Sequence, residues 1–240
     1  MARMTLEELV SQLRSAFGTA LRSVVLYGSA ASGERVKKSD QNVLVIVDDL
    51  DPARLTAASA ASRAWVDAGN PAPLTLRTVE WRGSADIFPM EYADILERHK
   101  VLYGDPPFEG VQVDLPHLRL QLEQESMGKL IKLRQGLLAS GNDQQRHLEL
   151  LAASVSQVLI VFRAFMRLHL EKPPADGVAL AEAVARRAEF DAAPFVRVIR
   201  HARGDAALKP AEATAVLAGY VKGVELLVSY LDSHRPESAL

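Results

Sequence analysis

One stretch near the N-terminus constrains the fold more than any other: a Gly-Ser turn between two short apolar runs. Val24 to Tyr27 is apolar and stops at Gly28, and a second apolar run extends from Asn42 to Val47. Short apolar runs bounded by turn residues are typical of buried strands. Gly28 and Gly33 permit a tight turn and a close approach of the backbone to a ligand. The sequence therefore predicts two neighbouring strands whose connection begins with a tight turn, at which the backbone can approach a ligand closely.

Polar residues sit at both ends of this turn. A short helix is expected to begin near Ser29, and the free N–H groups at a helix start can hold phosphate oxygens. Asp40 lies two residues before Asn42, at the entry to the second strand. Residues two apart in a strand point to the same face, so both side chains would face one ligand.

Together, Gly28-Ser29, Gly33, Ser39-Asp40 and the aliphatic strand resemble the signature of the nucleotidyltransferase superfamily. This is the DNA polymerase β-like fold of aminoglycoside nucleotidyltransferases and of the minimal nucleotidyltransferases. The resemblance implies that Gly28, Ser29, Gly33 and Ser39 bind the phosphates of a nucleoside triphosphate. It also implies Mg²⁺ ions, held by carboxylates two residues apart, which clamp the attacking and leaving oxygens of phosphoryl transfer.

The sequence departs from this family pattern at the metal site. Asp40 supplies the first carboxylate, but the second position is occupied by Asn42, whose amide oxygen has no charge. The family's third carboxylate is expected on a later strand, and the best candidate, residues 74–79, contains no acid. Thr75 and Arg77 share one face of that strand, so a cation is expected where the family has an anion. Mg²⁺ is expected to bind weakly or not at all, through Asp40 and Asn42.

Each of these residues also has a plain structural interpretation. The glycines could simply make a strand-to-helix turn, and Asp40 could cap the backbone after Ser39. The basic cluster at residues 35–38 is interpreted as a solvated loop. Glu80 and Asp86 are the acids near the end of the third predicted strand, so either could replace the missing carboxylate.

The order of elements predicts an α+β protein of two domains. A capping box, Thr5 and Glu8, opens the first helix, and strands at 24–27, 42–47 and 74–79 alternate with helices, which favours a mixed sheet. A helix is expected to run to Lys100, followed by a Val-Leu-Tyr-Gly segment similar to one that follows the sheet in nucleotidyltransferase-like proteins. The Gly/Pro cluster at 104–110 marks the boundary. We expect a nucleotidyltransferase-like α/β domain over 1–110 and a helical bundle over 111–240.

Two apolar seams define the predicted bundle. They recur at alternating steps of three and four residues, as in helices that pack along their length. The first contains Leu148, Leu151, Val155, Val158, Phe162, Phe165 and His169, and the second contains Ala213, Leu217, Tyr220, Val224, Leu227 and Leu231. Phe162 and Leu227 are predicted to be buried.

The composition bears on which classes of partner the protein could bind. The net charge is -2, from 28 basic and 30 acidic residues, which gives no electrostatic argument for nucleic acid or an anionic membrane. Cysteine is absent, and the first residues lack the apolar run of a signal peptide. A cytoplasmic protein is expected.

Three hypotheses follow for function. The first is a degenerate nucleotidyltransferase, meaning one without the family's full set of carboxylates, that binds a nucleotide or phosphate ligand with little or no transfer activity. The second is an active magnesium-dependent enzyme acting on a small molecule or protein hydroxyl, with Asp40 assisted by an acid such as Glu80. The third is an interaction protein whose bundle seams serve a homo-oligomer or a toxin–antitoxin-like pair.

Overall fold

The computed structural model describes residues 4–31 and 41–234. The chain divides into two compact units, Met1–Val113 and Asp114–Leu240. Each unit is described by itself.

The first unit contains a four-stranded mixed sheet. Its strands are β1 (Leu21–Tyr27), β2 (Asn42–Val47), β3 (Leu74–Arg77) and β4 (His99–Gly104), in the order β3-β2-β1-β4. β1 runs antiparallel to both β2 and β4, whereas β2 and β3 are parallel. The predicted mixed sheet is confirmed.

In the described part of this unit, the sheet is flanked by four α-helices: α1 (Leu6–Phe17), α2 (Pro52–Asp67), α3 (Thr78–Gly83) and α4 (Pro89–Glu97). The capping box of α1 is formed as predicted: the Glu8 N–H donates to the Thr5 hydroxyl at 3.2 Å, and the Thr5 N–H donates to the Glu8 carboxylate at 2.8 Å. Both bonds satisfy N–H groups at the start of the helix and fix where α1 begins.

The alternation of side chains along β2 divides the core of this unit into two layers. Val43, Val45 and Val47 face one side, where they join residues of α1 and α2. Leu44 and Ile46 face the other side, where Trp81 of α3 and Tyr92 and Ile95 of α4 complete the layer. A strand that is apolar on both faces is typical of the interior of a sheet that is covered on both sides. β2 is such an interior strand, between β3 and β1.

One predicted element end is wrong. The third strand ends at Arg77 instead of Val79, because the Glu80 carboxylate accepts a hydrogen bond from the Arg77 N–H at 2.8 Å and helix α3 starts at Thr78. The helix expected near Ser29 is a single 3₁₀ turn, Gly28–Ala30, within the described residues.

A fourth strand was missed by the sequence analysis. The helix expected to reach Lys100 stops at Glu97, and residues 99–104 form β4 along the free edge of β1. The register shifts between the Val24–Tyr103 and Val25–Val101 pairs. This irregularity breaks the two-residue alternation by which a strand is recognised in a sequence.

The second unit is a helical bundle of α5 (Leu115–Ser140), α6 (Gln144–Leu168), α7 (Gly177–Arg187), α8 (Ala193–Arg203) and α9 (Pro210–Ser233). All six seam residues of α9 are buried. On α6 the seam is buried from Leu151 to Phe165, while its two ends, Leu148 and His169, are partly exposed. The burial predicted for Phe162 and Leu227 is confirmed, since each is 1% exposed.

Among the described helices, α6 and α9 are long and apolar enough to cross a membrane, by length and composition only. Their seams lie in the core of the bundle, as in the core helices of globular units. Of the most apolar 18-residue window of each helix, 39% is buried in α6 and 44% in α9.

We expect Phe162→Ala to lower the free energy of unfolding by about 3–5 kcal/mol, because it removes a fully buried ring and leaves a cavity. Ile160→Ala, two residues away on the same helix, is the matched control. Ile160 is 48% exposed, so its loss should cost less than about 1 kcal/mol. Urea unfolding followed by circular dichroism measures both, and equal losses would contradict the assignment of the seam.

Gly104 closes β4 in a conformation that only glycine adopts there without strain. Its φ is +76°, and a Cβ at this position would lie 1.8 Å from the carbonyl oxygen of Arg22 on β1. Gly110 has nearly the same φ, +75°, but a Cβ there would meet nothing within 4 Å. Substitutions at the two glycines can therefore be compared: both cause backbone strain, but only a substitution at Gly104 also causes a steric clash.

Gly110→Ala should therefore destabilise the protein by about 1–2 kcal/mol, the cost of a left-handed residue with a Cβ. Gly104→Ala should cost clearly more, because β1 and β4 must also separate. Urea unfolding of both variants tests this difference. If Gly104→Ala is no worse than Gly110→Ala, the close approach of β4 to β1 is wrong.

Candidate functional site

Polar side chains gather at the end of the sheet where β1 stops and β2 begins. The register places Tyr27 opposite Asn42 on β2 and opposite His99 on β4. Directly opposed residues of antiparallel strands point to the same face, so these three form one row on the face covered by α3 and α4. The His99 Nδ1 lies 2.9 Å from the Ile95 carbonyl oxygen, which ties the edge of the row to α4.

Gly28 turns the chain away from this row. Its φ is +78°, and its N–H donates to the carbonyl oxygen of Arg98 at 3.0 Å, at the C-terminal end of α4. A Cβ on Gly28 would lie 3.4 Å from Asn42 Nδ2 and 3.6 Å from Asp94 Oδ2. The turn therefore brings an amide of β2 and a carboxylate of α4 to the same small volume.

Asp94 is a site residue that the sequence analysis missed. It forms an ion pair with Arg98 one helical turn later, and the two side chains are 25% and 16% exposed. The signal was present in the sequence: Glu91, Asp94 and Arg98 lie three and four residues apart, on one face of α4. The role of Asp94 was not predicted because the family's third carboxylate is expected on a strand, whereas Asp94 lies on a helix.

Carboxylates of α4 act electrostatically on Tyr27, the last residue of β1. Burial raises the pKa of the Tyr27 phenol above its usual range, and the carboxylates of Asp94 and Glu91 raise it further. These carboxylates disfavour the phenolate form of Tyr27, because like charges repel. The site therefore contains negative potential that does not come from the Ser-Asp motif.

Arg98 supplies the opposing charge. Its terminal nitrogen binds Asp94, but its buried Nε finds no hydrogen-bond acceptor in the described part of the chain. A buried guanidinium N–H without a partner is costly. An anionic group near the Gly28 turn would offer it an acceptor.

The structure brings together part of the predicted site. Gly28 and Asn42 are adjacent, and Ser29 follows in the 3₁₀ turn. The remaining predicted residues, Gly33, Ser39 and Asp40, lie outside the described residues, as does the basic cluster at 35–38. Their roles stay predictions.

The expectation that Arg77 replaces an anion of the site is wrong. In the parallel register Thr75 and Arg77 lie beside Val45 and Val47, so they point to the face opposite that of Asn42. Arg77 is also at the far end of β2, five residues from Asn42, which is about 17 Å along a strand. The β3 residue on the face of Asn42 and nearest to it is Leu74, an apolar side chain.

Glu80 does not replace the missing acid near Asn42, and no described contact joins Asp86 to Asn42. Glu80 lies beyond the far end of β3, where hydrogen bonds from Arg77 lower the pKa of its carboxyl. Asp86 lies in the turn between α3 and α4 and is exposed. Among residues 4–31 and 41–234, no three His, Cys, Asp or Glu side chains come together to hold a metal ion.

The three aspartates after β2 have structural roles. Asp51 caps α2, because its carboxylate accepts a hydrogen bond from the Arg54 N–H at 2.8 Å. Asp48 forms an ion pair with Arg22, and Asp49 lies 3.3 Å from the Arg54 guanidinium.

No family model matches this sequence. No curated protein matches it either. Among solved structures, the chain is similar to spectinomycin adenyltransferase AAD(9) from Enterococcus faecialis, whose structure was determined with ATP and spectinomycin. The TM-score is 0.62 with 11% sequence identity, over 95% of this chain and 98% of that chain. At this identity the similarity establishes the fold, so the α+β class predicted from the sequence is confirmed and the fold is nucleotidyltransferase-like.

The charge of Asp94 at Tyr27 can be measured directly. We expect Asp94→Asn to lower the pKa of Tyr27 but to leave it above 10, because the contribution of burial remains. Asp86→Asn is the control: it should leave Tyr27 unchanged and lower instead the pKa of Tyr92, which burial and Asp86 raise to about 12. NMR titration of ring-labelled tyrosines, assigned with Tyr27→Phe, gives both values. If the pKa of Tyr27 is the same in Asp94→Asn as in the unmodified protein, the described position of Asp94 near Tyr27 is contradicted.

Proposed function

We propose that this protein has a degenerate nucleotidyltransferase site, which binds a nucleotide or similar phosphate ligand with little or no transfer activity. In this proposal Gly28, Ser29, Gly33 and Ser39 surround the phosphates, and Asp40 with Asn42 faces a weakly held Mg²⁺. The observation that supports it most is the uncharged amide of Asn42 at the start of β2, while the first β3 residue on the same face, Leu74, pairs with Leu44 and is apolar.

Charge is the physical reason. Two divalent ions beside a triphosphate require several carboxylates, and hard oxygen ligands with negative charge bind Mg²⁺ best. Asn42 contributes no charge, and the Asp94 carboxylate is already paired with Arg98. The described donors therefore fit a catalytic pair of ions poorly, and weaker ions give less stabilisation to the phosphoryl-transfer transition state.

Binding of a phosphate group is supported by Arg98. Its guanidinium is largely buried next to the Gly28 turn, and its Nε lacks an acceptor among the described residues. A planar guanidinium suits phosphate oxygens because its N–H groups match their spacing. The solved structure of similar fold contains ATP, which supports a nucleotide as the first ligand to test.

One observation favours the enzymatic alternative. Asp94 lies beside Asn42 at the Gly28 turn, whereas Glu80 is at the far end of β3. If the protein transfers a nucleotide to a hydroxyl, Asp94 is therefore the acid that would assist Asp40. The similar protein is named as an adenyltransferase, and its structure holds spectinomycin, so a small hydroxyl compound is a reasonable acceptor class.

The seams of α6 and α9 do not support the interaction hypothesis. Their central residues are buried within the second unit, so they are not available to another chain. Any oligomer must use a different surface.

We expect Asn42→Asp to strengthen Mg²⁺ binding by at least about tenfold, because it adds a charge at a ligand position without changing side-chain size. Asn142→Asp, in an exposed turn of the second unit, is the control for net charge and should have no effect. Isothermal titration calorimetry of the three proteins, with and without ATP, measures the difference. Equal affinities in all three would contradict a metal-facing Asn42.

A transfer assay separates the two functional proposals. Labelled nucleotide is incubated with Mg²⁺ and a broad panel of hydroxyl acceptors, and little or no product is expected from the unmodified protein. Robust transfer that Asp40→Ala abolishes would refute the degenerate site. If Asp94→Asn also abolishes it while Asp86→Asn does not, Asp94 is the second acid.

A further inference from the structure

Helix α5 is apolar on two opposite faces. Its inner face is buried in the bundle through Leu118, Leu122, Leu130 and Leu133. Its outer face exposes four large apolar side chains: Leu120 (59%), Met127 (40%), Ile131 (46%) and Leu138 (86%). We call these four residues the outer stripe. Exposed apolar residues are common singly, but four on one line of a helix indicate a contact surface.

The outer stripe has the spacing of a helix-packing seam. Its members are separated by seven, four and seven residues. At 100° per residue, they fall within a sector of about 40° and extend over about 27 Å of the helix. Seven-residue recurrence keeps side chains facing a second helix along its length.

The outer stripe is also symmetric about position 129. Leu120 lies as far before this position as Leu138 lies after it, and the same is true of Met127 and Ile131. A second α5 laid antiparallel would therefore set Leu120 against Leu138 of the second copy, and Met127 against Ile131 of that copy. Such a match of a surface with itself is the requirement of a two-fold interface between identical chains.

The flanks of the outer stripe favour the same arrangement. Glu123 and Arg134 lie on one flank and are almost equidistant from position 129, so an antiparallel pair sets each glutamate near an arginine of the other copy. They are 26% and 54% exposed, and within the chain they pair with Arg119 and Glu225. In a parallel pair related by a two-fold axis, opposite flanks of the two helices meet, so Glu123 and Arg134 would not come near each other across the interface.

We propose that the outer stripe of α5 is a homodimer interface, in which two copies pair antiparallel about a two-fold axis at position 129. Gly128 lies on the other flank of the outer stripe, one residue from this position, and a Cβ there would meet nothing within 4 Å. An interface built on one helix pair is at the small end of stable interfaces. The dimer is therefore concentration-dependent. This proposal does not depend on the function of the first unit.

Sedimentation velocity of the full chain over a range of concentrations is the first test. The mass should rise from 26.2 kDa towards twice that value. Ile131→Glu places a charge at the centre of the outer stripe and should raise the dissociation constant of the dimer at least about tenfold. Ile160→Glu is the matched control, since Ile160 is 48% exposed on α6, and it should leave the dimer unchanged.

Circular dichroism verifies that each variant keeps its helix content. A wild-type chain that stays monomeric at all concentrations overturns the proposal, and another partner must then cover the stripe. The proposal also fails if Ile160→Glu dissociates the dimer as strongly as Ile131→Glu.

Cross-linking tests the orientation without relying on dissociation. The chain has no cysteine, so every disulfide formed must involve an introduced thiol. A mixture of Leu120→Cys and Leu138→Cys chains should form a mixed disulfide on mild oxidation, because antiparallel helices bring these positions within bonding range. Neither variant alone should form one. Cross-linking of Leu120→Cys with itself, and not with Leu138→Cys, would indicate parallel helices and refute the proposed interface.

Discussion

The candidate site depends on one backbone hydrogen bond, from the Gly28 N–H to the carbonyl oxygen of Arg98. It ties the end of β1 to the end of α4, and it requires Gly28 to adopt a positive φ. Arg98 is the C-cap of α4, and its N–H donates to the Asp94 carbonyl oxygen at 2.9 Å, so the same turn also fixes the position of Asp94. The carboxylate, the guanidinium and the amide of Asn42 are thus placed by a turn and a helix end. Residue types at this site can change while the backbone that presents them remains.

Several parts of the fold were predictable because their signals are local. The capping box at Thr5 and Glu8, the cap at Asp51 and the seam of α9 each depend on residues a few positions apart. Local hydrogen bonds and helical periodicity are visible in a sequence. The strand β4 was not predicted, since its pairing with β1 joins residues about eighty positions apart and contains a register shift.

The site was predictable in part, for a related reason. The turn at Gly28 and the position of Asn42 follow from the motif, but the neighbours of Asn42 depend on strand register and helix placement. A parallel register cannot be read from β3 itself, so Thr75 and Arg77 were assigned to the wrong face. Asp94 reaches the site from a helix some fifty residues away in the sequence, and only the packing of α4 on the sheet shows this.

The stability of the first unit does not depend on the charges of the candidate site. The first unit is stabilised by two apolar layers around β2, neither of which contains the site carboxylates. Carboxylates gathered at a metal site repel one another when no ion is bound, which costs stability in the ion-free protein. An asparagine at position 42 adds no such repulsion, whereas an aspartate of the same size would. Under the proposed function, in which strong ion binding is not required, Asn42 is therefore favourable to folding, and the pairing of Asp94 with Arg98 lowers the electrostatic cost of the site further.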